Sequence, residues 1–84
     1  MPLEILKKIL YKYNYTVVKL LYEHSHLSTQ EIQSRGKLSR KQVYTSIDML
    51  KSVSAVRRYH KEYVLTEITE EILKYLNVIE EIEE

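Results

Sequence analysis

Apolar residues recur at spacings of three and four over the first 24 positions, at Leu3, Leu6, Leu10, Tyr13, Val17 and Leu20. That spacing predicts an amphipathic helix from about Pro2, a residue suited to a first helical turn, to about His24. The run is one helix or two, because Asn14 is able to cap a second. Ile5, Ile9, Val18 and Leu21 widen the apolar side beyond what one monomeric core needs, which points to a second buried surface. Two short segments then repeat one start signal. In Leu27-Ser28-Thr29-Gln30-Glu31-Ile32, Ser28 and Glu31 form a capping box, and Leu27 with Ile32 a hydrophobic staple. Leu38-Ser39-Arg40-Lys41-Gln42-Val43 repeats this with Ser39 and Gln42 as the box and Leu38 with Val43 as the staple. Gly36, the only glycine, lies between them and is read as the left-handed residue through which the chain leaves the first helix. The prediction is a short helix, a tight turn and a longer helix over about 40–52.

That longer helix has a narrow apolar stripe, Val43, Ile47 and Leu50, and an opposite face of Arg40, Lys41, Tyr44, Thr45, Asp48 and Lys51. After it the period changes. Val53 to Tyr59 and Glu62 to Thr66 are rich in β-branched and aromatic residues, which predicts a β-hairpin with His60-Lys61 at its tip. From about Glu67, Ile68, Ile72, Tyr75, Ile79 and Ile82 follow a four-three spacing, the seam of a coiled coil. Two heptads are too few to stand free, so this helix must pack on the N-terminal helix or on a partner chain. The expected fold is mostly α with a small β-hairpin, in one domain over 1–84. Its parts are one or two helices over 1–26, a helix pair over 28–52, the hairpin over 53–66 and a last helix over 67–84.

Length and composition narrow the class. The chain has 84 residues, and a chain of this size buries only roughly 60–65% of its unfolded surface. A monomer is then marginal, and association helps. Apolar residues make up 44% of the chain, too many for a disordered one. There is no Cys, so disulfides, thiolate catalysis and Cys-based metal sites are excluded. No apolar run approaches the roughly 20 residues that span a bilayer. Glu4 before Lys7 and Lys8 is no secretory leader, so the expected location is the cytoplasm, away from membranes. The net charge of +1 conceals a strong polarity: +1 over residues 1–32, +7 over 33–61 and −7 over 62–84. A basic block favours polyanions through counterion release, and the acidic end is repelled by them.

The order of elements, with Leu27–Val43 and the stretch Val53–Thr66, resembles the winged helix–turn–helix superfamily, and most of all small prokaryotic and viral transcriptional regulators of the MarR, ArsR and PadR type. Ala55-Val56-Arg57-Arg58 and Tyr63-Val64-Leu65-Thr66-Glu67 are similar to the hairpin that follows the recognition helix in such proteins. The tip is shorter than usual there, and the glycine common before the hairpin is absent. The resemblance covers about residues 15–75. It implies a sequence-specific regulator that binds double-stranded DNA as a homodimer, with helix 40–52 in the major groove, the wing on the phosphate backbone, and the terminal helices used for dimerisation.

A recognition helix enters the groove N-terminus first. Arg40 and Lys41 then sit in the first turn, followed by Tyr44 and Thr45. Arg reads guanine, and Thr touches a thymine methyl or a phosphate. The plainer alternative is a solvated helix face. Asp48 either accepts from cytosine or pairs with a nearby Lys. Arg57, Arg58, His60 and Lys61 are phosphate contacts of the wing, or charges that guard an edge strand. Strand alternation puts Arg57 and Arg58 on opposite faces. Thr29, Gln30, Lys37 and Ser39 complete the expected DNA-binding set. The expected dimer interface comprises Leu3, Leu6, Leu10, Tyr13, Ile72, Tyr75, Ile79 and Ile82.

His24 and His26 lack the i, i+4 spacing of helical metal ligands, and no acidic cluster joins them, so no metal is expected. No cofactor or small-molecule substrate is expected either. Nothing draws Ser52, Ser54, Asp48 and His60 into one catalytic set, and the chain is not expected to be an enzyme. The rival readings are a winged-helix protein-interaction module and a nonspecific, chromatin-like DNA-binding protein. A contiguous surface of Arg40, Lys41, Arg57 and Lys61 favours DNA, and a scattering of these four favours the module.

Overall fold

The first 24 positions form two helices rather than one, α1 (Leu3–Ile9) and α2 (Asn14–His24). The computed structural model that shows this describes the backbone over residues 3–83 and the side chains over 3–76. Between the helices Lys12 adopts a left-handed conformation, φ 46°, which ends one helical register and starts another. Asn14 does not cap α2. It is the first residue of α2 and is fully buried, and its Nδ2 donates to Lys8 O at 2.7 Å. That bond satisfies a carbonyl of the last turn of α1, which has no partner within its own helix. The corner also changes which apolar positions are inside. Ile5, Ile9, Val17, Val18 and Leu21 form the buried side. Leu10 and Tyr13 are 52% and 44% exposed, Leu3 is exposed, and Leu6 and Leu20 are half-buried against the core. A stripe drawn straight through the corner therefore mixes two faces.

His26–Leu27 forms a two-residue strand, β1, and two helices follow, α3 (Thr29–Gly36) and α4 (Arg40–Ser52). Both capping boxes form. Ser28 Oγ accepts from Glu31 N at 3.2 Å and Glu31 Oε1 from Ser28 N at 3.0 Å. Ser39 Oγ accepts from Gln42 N at 3.1 Å and Gln42 Oε1 from Ser39 N at 2.9 Å. The left-handed residue that ends α3 is Lys37, φ 54° and ψ 42°, and not Gly36. Gly36 stays helical for a packing reason. A Cβ there would lie 3.2 Å from Leu20 Cδ1 and 3.4 Å from Thr16 Cγ2, so its lack of a side chain lets α2 and α3 come close. Lys37 bears a left-handed strain of roughly 1–2 kcal/mol in consequence.

α4 turns Val43, Ser46, Ile47 and Leu50 inward. The chain leaves it through Ser54, φ 59°, and Ala55 N donates back to Leu50 O at 2.8 Å. Val53 and Ser54 thus complete the helix exit, and the hairpin begins three residues later than the sequence suggests, as β2 (Val56–Tyr59) and β3 (Glu62–Leu65). His60, φ 58°, makes the tight two-residue tip possible without the usual Asn-Gly. β1 pairs antiparallel with β3, giving a three-stranded sheet in the order β1-β3-β2. The register sets two faces. Leu27, Val56, Tyr63 and Leu65 face the core, whereas His26, Arg57, Tyr59, Glu62 and Val64 share the outer face, where His26 Nδ1 pairs with Glu62 Oε1 at 2.7 Å.

α5 (Glu67–Glu83) is seated by threonines. Thr66 N and Thr66 Oγ1 each lie 3.1 Å from Ala55 O, and Thr69 Oγ1 donates to the same oxygen at 2.7 Å. Ile72 and Leu73 enter the core and Leu76 packs against it. Ile72, expected at a dimer face, is thus only 2% exposed in the chain's own core, while Tyr75 is 67% exposed. The inward stripe is Thr69, Ile72, Leu73 and Leu76, one helical flank away from Ile68 and Tyr75. Ile79 and Ile82 lie outside the residues whose side chains are described. One buried cluster draws residues from all five helices and all three strands. Among the described residues, no helix is long and apolar enough to cross a membrane.

Two predictions follow from the caps. Ser39→Ala leaves Gln42 N without its acceptor and costs about 1 kcal/mol, a fall of roughly 4–8 °C in a thermal melt. The Glu31 carboxyl is held below its ordinary pKa, first by the backbone N–H of Ser28 and then by the Ser28 side chain. A lowered folded-state pKa adds stability above the unfolded value, and that stability is lost as the pH falls through the folded value. The melting temperature of wild type should exceed that of Glu31→Gln near neutral pH, and the gap should close as the pH is taken well below the ordinary carboxyl value of 4.5.

Candidate functional site

The helical repeat gives α4 two sides. With Val43, Ile47 and Leu50 buried, Arg40, Lys41, Tyr44, Thr45, Asp48 and Lys51 are all exposed. Arg40 and Tyr44 lie one turn apart, and the Arg40 guanidinium carbon sits 5.4 Å from the centre of the Tyr44 ring. The start of α3 lies beside the start of α4. Between them lies a groove of about 370 Å³, lined by Ser28, Thr29, Gln30, Gln33, Arg40 and Tyr44. The Tyr44 phenol is held below its ordinary pKa, first by hydrogen bonding to the Thr29 side chain and further by the charges of Arg40 and Arg58.

Arg58 belongs to the sheet. It pairs with Tyr63 in the register, on the core-facing side of β2, and lies just past the point where that side becomes exposed. Its Nε donates to His60 O at 3.0 Å, which fixes the side chain against the hairpin tip. Thr29, Gln30, Arg40 and Tyr44 are neighbours, although they come from two elements, and Arg58 acts on Tyr44 only through its charge.

The other expected residues are placed elsewhere. Lys41 and Thr45 line the opposite flank of α4, in a depression of about 310 Å³ shared with Tyr11, Lys12, Tyr13, Gln42, Ser46 and Met49. Ser39 is exposed, but its hydroxyl is engaged as a helix cap. Lys37 stands exposed in the turn. Arg57 projects from the outer sheet face, with its guanidinium carbon 5.8 Å from the Tyr59 ring centre, and does not join Arg58. His60 and Lys61 are exposed at the hairpin tip, the His60 ring edge-on to Tyr59 at 4.4 Å. Sequence reasoning missed Gln33 and the depression around Tyr11 and Met49. Gln33 was detectable as the residue one turn after Thr29; the depression depends on the α1–α2 corner, which carries no local signal.

The cations keep their charge uncompensated. The single ion pair among the described residues joins His26 and Glu62, so Arg40, Lys41 and Arg58 have no carboxylate partner. The acids gather on α5 instead, where Glu67, Glu70 and Glu71 line a shallow hollow with Lys74.

A spectrophotometric titration tests the groove. The difference between wild type and Tyr44→Phe should show one tyrosine ionising below the ordinary value of 10.0, and Thr29→Val should move that ionisation upward. Comparison with known protein families, with characterised proteins and with solved structures finds no match to this chain.

Proposed function

We propose that this chain is a winged helix–turn–helix protein of the cytoplasm that binds double-stranded DNA as a homodimer and regulates transcription. α3 and α4 are the helix–turn–helix, α4 is the recognition helix, and β2–β3 is the wing. The observation that supports the reading is the meeting of Thr29, Gln30, Arg40 and Tyr44 around one groove at the start of α4, with no carboxylate paired to Arg40 among the described residues, although Lys41 and Arg57 lie on other faces and do not join it. Uncompensated cations gain from displacing the counterions of a phosphate backbone. The exposed half of α4 enters the major groove by its N-terminal end. Thr29 and Gln30 approach the flanking backbone, and Arg58 holds a phosphate from the wing side. A two-residue tip leaves the wing on the backbone and out of the minor-groove floor.

Dimerisation uses the apolar side chains that the monomer leaves out. Leu3, Leu10, Tyr13 and Tyr75 are all large and exposed. Pairing of these surfaces covers them and sets two recognition helices about 34 Å apart, one turn of the duplex.

Binding of labelled duplex across a salt series tests the proposal. The wild type should show a steep fall in affinity with salt, and Arg40→Ala and Arg58→Ala should each flatten the log–log slope by about 0.9. Selection from random duplexes should enrich a palindrome. Absence of duplex binding at low salt defeats the reading and leaves the protein-interaction module in its place. Steep binding without enrichment indicates a nonspecific coat.

A further inference from the structure

Asp48 is the one acid among residues 33–61, a stretch with eight Lys and Arg. Its direction on α4 follows from the buried residues. At about 100° per residue, Val43, Ser46, Ile47 and Leu50 define the inward direction, and Asp48 lies almost opposite their mean, in line with Lys41 two turns earlier. Its side chain is exposed. The neighbours within reach along the helix are Tyr44, Thr45, Lys51 and Ser52, of which only Lys51 is a cation. No ion pair forms with it, since the only pair among the described residues is His26–Glu62. Asp48 is thus an uncompensated carboxylate at the outward crest of the most basic part of the chain.

On a surface that binds phosphates for charge alone, such a group only weakens binding. Its chemistry suits a different target. A carboxylate accepts hydrogen bonds and donates none. Along the major groove, guanine shows two acceptors, thymine an acceptor and a methyl, and adenine a donor beside an N7 acceptor that repels a carboxylate, whereas cytosine presents its N4 amino group as a donor alone. Arg40 and Asp48 are eight residues apart, about 12 Å along the helix, so Arg40 reaches the backbone or a guanine at the groove's edge while Asp48 meets a base further in. We infer that Asp48 reads the amino group of a cytosine in the major groove, trading affinity for any duplex against preference for one. This rests on the reading of α4 as a recognition helix.

The test is selection from random duplexes by the wild type, Asp48→Ala and Asp48→Asn, followed by affinity measurements on the selected site and on an unrelated duplex. Melting curves check folding, which an exposed helical position leaves nearly unchanged. The wild type should require C·G at one position in each half-site and lose about tenfold or more on its replacement. Asp48→Ala should lose that preference at that position alone and bind the unrelated duplex more tightly. Asp48→Asn should move the preference toward adenine, whose N6 and N7 match an amide. If the wild type binds and selects a site that both variants select unchanged, Asp48 reads nothing and the inference falls while DNA binding stands. If the wild type binds no duplex, the inference falls together with the function beneath it.

Discussion

A buried carbonyl needs a donor, and the one at Ala55 has three within reach: Thr66 N, Thr66 Oγ1 and Thr69 Oγ1. Four elements meet at this residue. Its own N–H closes the end of α4 on Leu50 O, β2 begins at the next position, β3 ends opposite it, and α5 starts under the threonines. Ala55 is fully buried, and its small side chain leaves room for the crowding. The angle at which the sheet leaves α4 is set here.

The local grammar of the chain was legible. A serine followed three residues later by Glu or Gln states a helix start within four positions, and Ser28 and Ser39 keep that promise atom for atom. The exposed face of α4 followed from its period alone. The change of period at the hairpin was equally clear, and so was the placement of Arg57 and Arg58 on opposite faces. What failed depended on contacts distant in sequence or on uncommon backbone. Two residues are too short to display a strand period, so β1 is visible only once β3 lies beside it. Left-handed Lys12 and Lys37 break the rule that glycine marks such positions. Gly36 is explained by Thr16 and Leu20 on another helix. Ile72 fits a coiled-coil seam by spacing, yet the anchoring of Thr69 turns it inward.

The groove was half legible for the same reason. Arg40 and Tyr44 are one helical turn apart, a relation that sequence states directly. That Thr29 lies beside Tyr44 depends on the α3–α4 turn. The corner between α1 and α2 shows the converse. One left-handed residue turns Leu10, Tyr11 and Tyr13 outward together, and the buried amide of Asn14 holds the corner in place. An exposed apolar surface thus arises where the core runs out.

The two-residue tip of the hairpin has a wider meaning for lineages that carry such a fold. His60 and Lys61 are the only residues between the strands, and neither enters the core. Each doubling of a loop costs only about 0.6 kcal/mol in closure entropy, so residues inserted here would burden stability little. The first contact to give way would be the tie from Arg58 to the His60 carbonyl. Reach toward a ligand is consequently separable from foldedness in this architecture. Selection could lengthen the arm in small steps while the body beneath it stays the same.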